Sequence, residues 1–526
     1  MRGVVAAGNP HTARAGAGIL RRGGNAVDAA VAAAFASFVG ETVVVSIGGG
    51  GFAVVVDRPL TGGPCRTRSY DFFSTMPSPA ENMDFRRVLI DFGGEKQPFF
   101  IGRASSAVPG VVAGLCRMAR ERGSLPLKTL LEPAIELARG GFEITPIFAY
   151  VLQLLKPIYE DNPGIKNVFV PNGKCLKAGD VLKLPQLAHS LSRIADEGPD
   201  YFYRGAIAEA IERDHGRSGG LITRSDLAAY RVKTSEPLSI DYRQCRVLLP
   251  PPPSFGGVLI AFSLKLLETV PLNGLRFGSL PHLRTLALVM HLTSLARKTW
   301  EKSTDHGPAG LAAFLGSNHV EEYRKRLHAC LNGAPLPELA PVPNAPGNTS
   351  HISVMDKDGC AVSITTSAGE AAGYLLEDTG VVLNNMLGEE DLNPDGFHRG
   401  VPGERLISMM SPVIVLRDNR PVLAVGSAGS NRIRSAIIQT VVNAIDLGLP
   451  LHEAINAPRI HFEGGLLQVE AGLSGSVAEE LRLLGFKVNC WQQKNLFFGG
   501  AQAVSQLDGN LVGAADERRG GQVEYA

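Results

Sequence analysis

The sequence predicts a mixed α and β protein with a large buried core. Hydrophobic residues make up 44% of the 526 residues, and helix-like and strand-like segments alternate between turns rich in Gly and Pro. At about 100–200 residues per domain, this length predicts two to four structural units. The 52 basic and 51 acidic residues nearly balance. We therefore expect neither nucleic acid nor an anionic membrane as the main partner, because both attract basic proteins.

The N-terminal segment predicts a helix followed by two strands. Asn25 is a candidate N-cap for a helix of small residues that begins at Ala26. Thr42–Ile47 is predicted as a buried strand and Phe52–Val56 as a second strand. The four glycines of Gly48–Gly51 lack the spacing of a phosphate-binding loop, so we predict a tight turn between the strands.

Residues from about 109 to 339 are predicted to be mainly helical, with periodic segments at Gly110–Arg122, Thr129–Gly140 and Gly205–Asp214. A GxSxG match at 216–220 follows a helix rather than a strand, so it does not predict a nucleophile elbow. Residues 332–348 contain five prolines and little periodicity, and we predict an extended, exposed linker.

Cysteine spacing and hydropathy indicate a soluble protein without a metal site. Seven cysteines are present without a CxxC pair, which is typical of buried reduced thiols. The apolar run 29–40 is shorter than the ~20 residues that a spanning helix needs. The start Met1-Arg2-Gly3 shows no charged-then-apolar leader, so we expect no secretory signal and a cytoplasmic location.

A β-hairpin follows the linker. Alternation through Ile352 and Val354 predicts one strand, 356–359 a turn, and 360–367 the return strand. A two-residue turn pairs Thr349 with Thr366, whereas a Gly bulge pairs it with Ser367. Either register places a second hydroxyl beside Thr349 at the open end of the hairpin.

A third segment predicts an anion-binding loop. Pro421–Val425 is predicted as a strand, 426–431 as a Gly/Ser loop, and 432–447 as an amphipathic helix. A loop of small residues that leads into a helix N-terminus exposes backbone N–H groups, which suits an oxyanion hole.

From these residues alone, two interpretations of Thr349 remain open. It is either a structural hairpin residue or, if the chain is cut before it, a nucleophile whose own α-amine acts as the base.

Several motifs resemble the γ-glutamyltransferase (glutathione hydrolase) family of N-terminal-nucleophile hydrolases. Thr349-Ser350-His351-x-Ser353-Val354 is similar to the family's processing and catalytic motif. Other matches extend over nearly the whole chain, at 24–30, 47–51, 108–110, 250–257, 383–385 and 408–412.

The resemblance implies that the chain cuts itself between Asn348 and Thr349 into a large subunit, 1–348, and a small subunit, 349–526. The implied fold is a four-layer αββα sandwich with a helical region in the large subunit. Thr349 would attack an amide carbonyl, Ser367 would lie near it, and the N–H groups of Gly429 and Ser430 would hold the oxyanion. The family implies no metal or organic cofactor.

Substrate-binding positions match the family less well than catalytic ones. Phe73 stands where the family commonly has an Arg that pairs with the γ-glutamyl α-carboxylate, and Phe cannot form that charged pair. The remaining correspondences are Gly369 for Asn, Met409 for one of two serines, Met386 for Gln or Glu, and Glu389 for Asp. The candidate substrate-binding residues are Phe73, Asn385, Glu389 and Ser408, and Arg405 or Arg432 could replace the missing Arg.

These motifs leave three functions open. The first is a γ-glutamyl amide hydrolase or transferase that acts on glutathione-like compounds and passes the acyl group to water or an amine. The second is an acylase of the same fold with a different acyl group. The third is a processed but inactive binding or scaffold protein.

Overall fold

Two stacked antiparallel β-sheets form the centre of the molecule, and α-helices cover the outer face of each sheet. The computed structural model describes residues 1–57, 65–91, 96–339, 348–507 and 509–526. The four layers follow the order helix, sheet, sheet, helix, which is the αββα sandwich that the resemblance implies.

The first sheet has seven strands. In spatial order they are Gln522–Tyr525, Gly3–Ala7, Ser350–Asp356, Ala361–Ser367, Gly50–Asp57, Arg66–Asp71 and Lys233–Ser235. The second sheet has six strands. In spatial order they are Val512–Ala515, Gly500–Ser505, Arg420–Ala428, Val413–Arg417, Cys245–Leu249 and Leu238–Tyr242.

Helices form the two outer layers. On the side of the first sheet they are Pro10–Arg21, Ala26–Gly40, Val111–Arg122, Leu127–Gly140, Pro146–Leu154, Lys156–Tyr159, Pro163–Phe169, Pro185–Glu197, Asp200–Tyr203, Ala206–Ser218 and Arg224–Ala229. On the side of the second sheet they are Phe255–Leu267, Leu280–Glu301, Pro308–Phe314, Ser317–Leu331, Arg432–Ile445, Leu451–Asn456 and Gly475–Leu483.

Shorter strands form small peripheral sheets. They are Arg86–Asp91 with Lys96–Ile101, Phe142–Glu143 with Val181–Leu182, Leu375–Leu376 with Val381–Val382, and Ile460–Glu463 with Leu466–Val469 and Lys487–Cys490.

Apolar side chains from both sheets fill the space between them. They include Val4, Val54, Leu248, Met355, Ile414, Ala424 and Val504. Residues on both sides of the Asn348–Thr349 bond contribute strands to both sheets, and Gly3–Ala7 hydrogen-bonds on both edges to strands of the later segment. A cut at that bond would therefore leave the two segments held together by shared sheets and a shared core.

Several predicted helices are confirmed, with boundaries that shift by a few residues. The Asn25 side chain accepts a hydrogen bond from the Asp28 N–H, and the Asp28 carboxylate accepts one from Asn25, which forms a capping box. The helix that follows, Ala26–Gly40, is buried on all sides because its small residues let the first sheet and the neighbouring helices approach closely.

The predicted strand Thr42–Ile47 is wrong. The amides of Val44 and Val45 both hydrogen-bond to the carbonyl of Glu41, so this segment is a buried turn that continues from the preceding helix. The predicted turn of four glycines is also wrong in part, because Gly50 and Gly51 begin the strand Gly50–Asp57. A Cβ on Gly51 would lie 2.4 Å from the carbonyl oxygen of Thr365, which explains the need for glycine.

Besides the short pair Phe142–Glu143 and Val181–Leu182, the described part of the predicted helical region 109–339 contains the strands Lys233–Ser235, Leu238–Tyr242 and Cys245–Leu249. The last two form a hairpin at the edge of the second sheet, turning at Arg243 and Gln244, which both have positive φ. The strand Leu238–Tyr242 alternates apolar and polar residues, a signal that the helical prediction did not use.

The GxSxG match lies at the end of the helix Ala206–Ser218, where Gly219 adopts a left-handed C-cap, so it does not form a nucleophile elbow. The cysteines of the described residues form no disulfide, and Cys490 is exposed, unlike the buried thiol that was predicted.

Candidate active site

The hairpin that carries Thr349 adopts the second of the two predicted registers. Ser350 pairs with Thr366 and Met355 with Ala361, which places Thr349 opposite Ser367 at the open end. The extra turn residue is Gly359, whose φ of +85° lies in the left-handed region that glycine favours. Strand period and turn chemistry left Thr366 and Ser367 open as the neighbour of Thr349, and the structure has Ser367 there.

The junction between Asn348 and Thr349 is buried, with each residue only 6% exposed. The predicted linker thus ends inside the protein rather than in solvent, and its residues 340–347 lie outside the described part. The Asn348 carbonyl oxygen accepts a 2.6 Å hydrogen bond from the Ser367 hydroxyl. The Asn348 side-chain amide donates to the carboxyl group of Glu370. Both ends of Asn348 are therefore held.

Glu370 is a buried acid that the sequence did not indicate. Burial raises its pKa to about 7, although the hydrogen bond from Asn348 and the charge of Arg519 act in the opposite direction. Its backbone N–H donates to the side-chain oxygen of Asn385 at 2.7 Å. Asn385, predicted to bind substrate, therefore lies behind Glu370 rather than in the wall of the cavity described next.

Thr349 borders a small open cavity that gathers most of the predicted site residues. Those present are Phe73, Asn348, Ser367, Glu389, Ser408 and Ser430. Met386 and Met409, which stand at two of the family's substrate-binding positions, also line the cavity. The lining further includes residues that the sequence did not indicate, namely Asp391, Leu392, Met410 and Ile433.

Two carboxyl groups give this cavity an acidic end. Glu389 is 6% exposed, and its Oε1 has no hydrogen-bond partner among the described residues. Burial, together with the neighbouring acids Asp391 and Glu370, raises the pKa of Glu389 well above its ordinary value. Asp391 accepts a 2.6 Å hydrogen bond from the Ser430 hydroxyl, and burial raises its pKa as well. The sequence did not indicate Asp391.

The described residues that line the cavity include no arginine, lysine or histidine. Arg405 instead forms an ion pair with Asp71 at 2.9 Å, and the same carboxylate accepts a hydrogen bond from the Phe73 amide. Arg432 donates to the Phe497 carbonyl oxygen and lies over the Phe497 ring. Neither arginine takes the place of the cation that Phe73 has replaced.

The loop after strand Arg420–Ala428 consists of residues with positive φ that lead into a helix. Gly429 has a φ of +120° and Ser430 a φ of +48°, and the helix Arg432–Ile445 begins immediately afterwards. The hydrogen bonds of the described residues include none donated by the amide of Gly429 or Ser430. Two adjacent N–H groups at a helix N-terminus favour a negative charge.

No helix in the described residues is both long enough and apolar enough to span a bilayer. Within that same part of the chain, His, Cys, Asp and Glu side chains do not cluster in threes as metal ligands would.

Comparison with known proteins places this geometry in context. Residues 12–526 match the family model described as gamma-glutamyltranspeptidase. The chain is 34% identical to a glutathione hydrolase proenzyme of Escherichia coli (strain K12), over 98% of this chain and 90% of that protein. It is 33% identical to an acylase ACY 1 proenzyme of Pseudomonas sp. (strain SE83), over 99% and 93% of the two chains.

Among solved structures, a cephalosporin acylase from Bacillus halodurans superposes with a TM-score of 0.84 and 26% identity, over 100% of this chain and 96% of that one.

Proposed function

Because this chain belongs to the gamma-glutamyltranspeptidase family, we propose that it is a self-cleaving amidohydrolase that uses Thr349 as its nucleophile. The observation that carries the proposal is the position of Thr349. It lies next to a carbonyl held by Ser367 and at the edge of a cavity with an unpartnered acid.

In the proposed self-cleavage, the Thr349 hydroxyl attacks the carbonyl carbon of Asn348. The bond to the Thr349 nitrogen breaks and an ester to its hydroxyl oxygen forms. Water then hydrolyses the ester, leaving a carboxylate on Asn348 and a free α-amine on Thr349. Ser367 already donates to the carbonyl oxygen on which negative charge develops. Two relatives named as proenzymes support this step.

In the proposed catalytic cycle, the free amine of Thr349 takes the proton from its own hydroxyl, which attacks the substrate amide. The Gly429 and Ser430 amides stabilise the oxyanion. The amine half leaves with the proton, and water or a second amine then releases the acyl group.

The cavity favours an acyl group without a carboxylate that needs a cationic partner. Its walls at Phe73, Met409 and Ile433 are apolar, its two titratable groups are both acids, and Arg405 is committed to Asp71. A substrate carboxylate would meet no cation among the described lining residues, and a buried charge without a partner is costly or takes up a proton. We therefore place this enzyme with the acylases of the family, and expect an acyl chain that is apolar or carries an amine.

A γ-glutamyl acyl group is the second candidate. Glu389 and Ser408, which match family positions for the amino and carboxylate groups, lie together in the cavity with Thr349. The unpartnered oxygen of Glu389 could accept a hydrogen bond from the substrate amine.

Four p-nitroanilides separate these candidates. The γ-glutamyl compound carries both an amine and a carboxylate, the 4-aminobutanoyl compound lacks the carboxylate, the glutaryl compound lacks the amine, and the butanoyl compound lacks both. Each is assayed against an enzyme-free blank after intact-mass spectrometry has established whether the small chain begins at Thr349.

We expect two chains, and a higher kcat/KM for the 4-aminobutanoyl or butanoyl compound than for the γ-glutamyl compound. A preference for the γ-glutamyl compound would favour the second candidate. A single uncut chain without turnover would contradict the amidohydrolase proposal and favour a scaffold protein.

A further inference from the structure

Thr349 also borders a second open cavity, which differs chemically from the first. One wall is apolar and comes from Ile147, Phe148 and Val151. The polar side groups in its lining include Glu41, Gln502 and Arg519. Thr349 lines both cavities, so we infer that a substrate whose amide lies at Thr349 extends one half into each.

Arg519 is a cation without an ion-pair partner in the described part of the chain. Its Nε–H group is buried and donates no hydrogen bond to any of the described residues. The side chain crosses Gly500, where a Cβ would lie 2.4 Å from its Cδ, and it reaches towards Gly429 of the oxyanion loop. Burial and the charge of Arg432 lower the pKa of Arg519 to about 10, so the side chain is cationic at neutral pH.

The acids that influence Arg519 are already engaged elsewhere. Asp516 binds Arg459 at 2.7 Å and Arg518 at 3.0 Å. Glu41 accepts hydrogen bonds from the hydroxyls of Thr12 at 2.6 Å and Ser350 at 2.8 Å. The third acid, Glu370, holds the side chain of Asn348.

The neighbouring Arg518, unlike Arg519, has ion-pair partners. Its guanidinium binds the carboxylates of Glu470 and Asp516 in a buried network that fixes the segment Glu517–Arg519. Arg519 is thus held on a rigid support with its guanidinium unmatched, as expected of a group that binds a ligand.

We propose that Arg519 binds a carboxylate on the amine half of the substrate, which places N-acylated amino acids and related carboxylate-bearing amines among the compounds cleaved. This inference rests on the proposed amidohydrolase function. The apolar wall would contact the body of the same amine, and Gln502 would supply a further polar contact. A planar guanidinium suits a carboxylate because it donates two parallel hydrogen bonds.

The test uses two amines that differ only in a carboxylate, 5-amino-2-nitrobenzoate and 4-nitroaniline. Their binding to the wild-type protein and to R519Q, R519K and R14Q is measured by calorimetry without any turnover. R14Q is the matched control, because it also removes one positive charge, but from a side chain that is 62% exposed.

We expect 5-amino-2-nitrobenzoate to bind about tenfold or more tightly than 4-nitroaniline, because a charge-assisted pair adds at least that factor. R519Q should abolish the difference, R519K should retain part of it, and R14Q should leave it unchanged. Equal binding of both amines to the wild-type protein would overturn the proposal even if R519Q failed to fold.

Because binding is measured without turnover, the two proposals fail separately. A protein that selects the carboxylate through Arg519 but cleaves no amide would contradict only the amidohydrolase function. A protein that cleaves amides without this selectivity would contradict only the role of Arg519.

Discussion

The hydroxyl of Ser367 donates a 2.6 Å hydrogen bond to the carbonyl oxygen of Asn348, the residue immediately before Thr349. The Gly369 amide in turn donates to the Ser367 oxygen at 2.9 Å, which orients the hydroxyl proton towards that carbonyl. A donor held in this position stabilises the oxyanion that forms when Thr349 attacks.

S367A should therefore slow self-cleavage by about 10²-fold, the usual effect of losing one oxyanion donor. S367T, which keeps the hydroxyl, should cleave at a rate closer to that of the wild type. The measurement is the fraction of uncut chain over time by denaturing mass spectrometry.

The control is T366V on the same strand. The Thr366 hydroxyl is buried and has no hydrogen-bond partner among the described residues, so its loss should leave cleavage unaffected. Equal rates for S367A and T366V would contradict the role assigned to Ser367.

T349A should remain one chain of 526 residues and show no amidase activity, because it lacks the attacking oxygen. T349S retains a hydroxyl, and we expect it to process more slowly while keeping measurable turnover. Intact-mass spectrometry and an anilide assay on the same samples check both. Cleavage of T349A after Asn348 would show that another group performs the attack.

Local signals explain which parts of the fold the sequence predicted. The Asn25 capping box and the hairpin of Thr349 depend on neighbouring residues, and both were found correctly. Thr42–Ile47 has the β-branched residues of a strand, yet it forms a buried turn because the Glu41 carbonyl accepts two of its amides. Tertiary packing there overrides local propensity.

In the candidate site, too, the sequence indicated some residues, whereas others became apparent only in the folded structure. Motif likeness indicated Ser408, Glu389 and Ser430, which do lie around one cavity with Thr349. Glu370 and Arg519 carried no signal, because their importance arises only when distant segments pack against Thr349 and Asn348. The sequence left Arg405 open as a replacement for the missing arginine. The structure instead pairs Arg405 with Asp71.

Glu370 should make the stability of the protein depend on pH. Its carboxyl group is 1% exposed, and its pKa rises from 4.5 to about 7 on folding because burial disfavours the charged form. Its favourable contribution is therefore fully present below pH 4.5 and is lost as the pH rises through 7. At 1.36 kcal/mol per pKa unit, the loss between pH 5 and pH 8 is about 2–3 kcal/mol.

E370Q removes this titration while keeping an acceptor for the amide of Asn348. The free energy of unfolding by urea, measured in T349A and in T349A/E370Q to keep the chain uncut, should fall with pH in the first relative to the second. Parallel pH profiles for the two variants would show that Glu370 keeps an ordinary pKa in the folded protein.

F73R should restore recognition of a γ-glutamyl carboxylate. Phe73 lines the acyl cavity and stacks on Phe52 with 5.5 Å between ring centroids. Its amide donates to the Asp71 carboxylate, and its carbonyl oxygen accepts from the Tyr230 hydroxyl. An arginine at this position would bring the missing cation close to Ser408 and Glu389.

We expect the ratio of kcat/KM for γ-glutamyl to that for 4-aminobutanoyl p-nitroanilide to rise by about tenfold or more, the factor that a charge-assisted pair supplies. F73L, which removes the ring without adding charge, is the control and should leave the ratio unchanged. Since Phe73 is only 1% exposed, melting temperatures of both variants establish that they remain folded. A folded F73R with an unchanged ratio would mean that the wild-type cavity does not reject γ-glutamyl groups for lack of this cation.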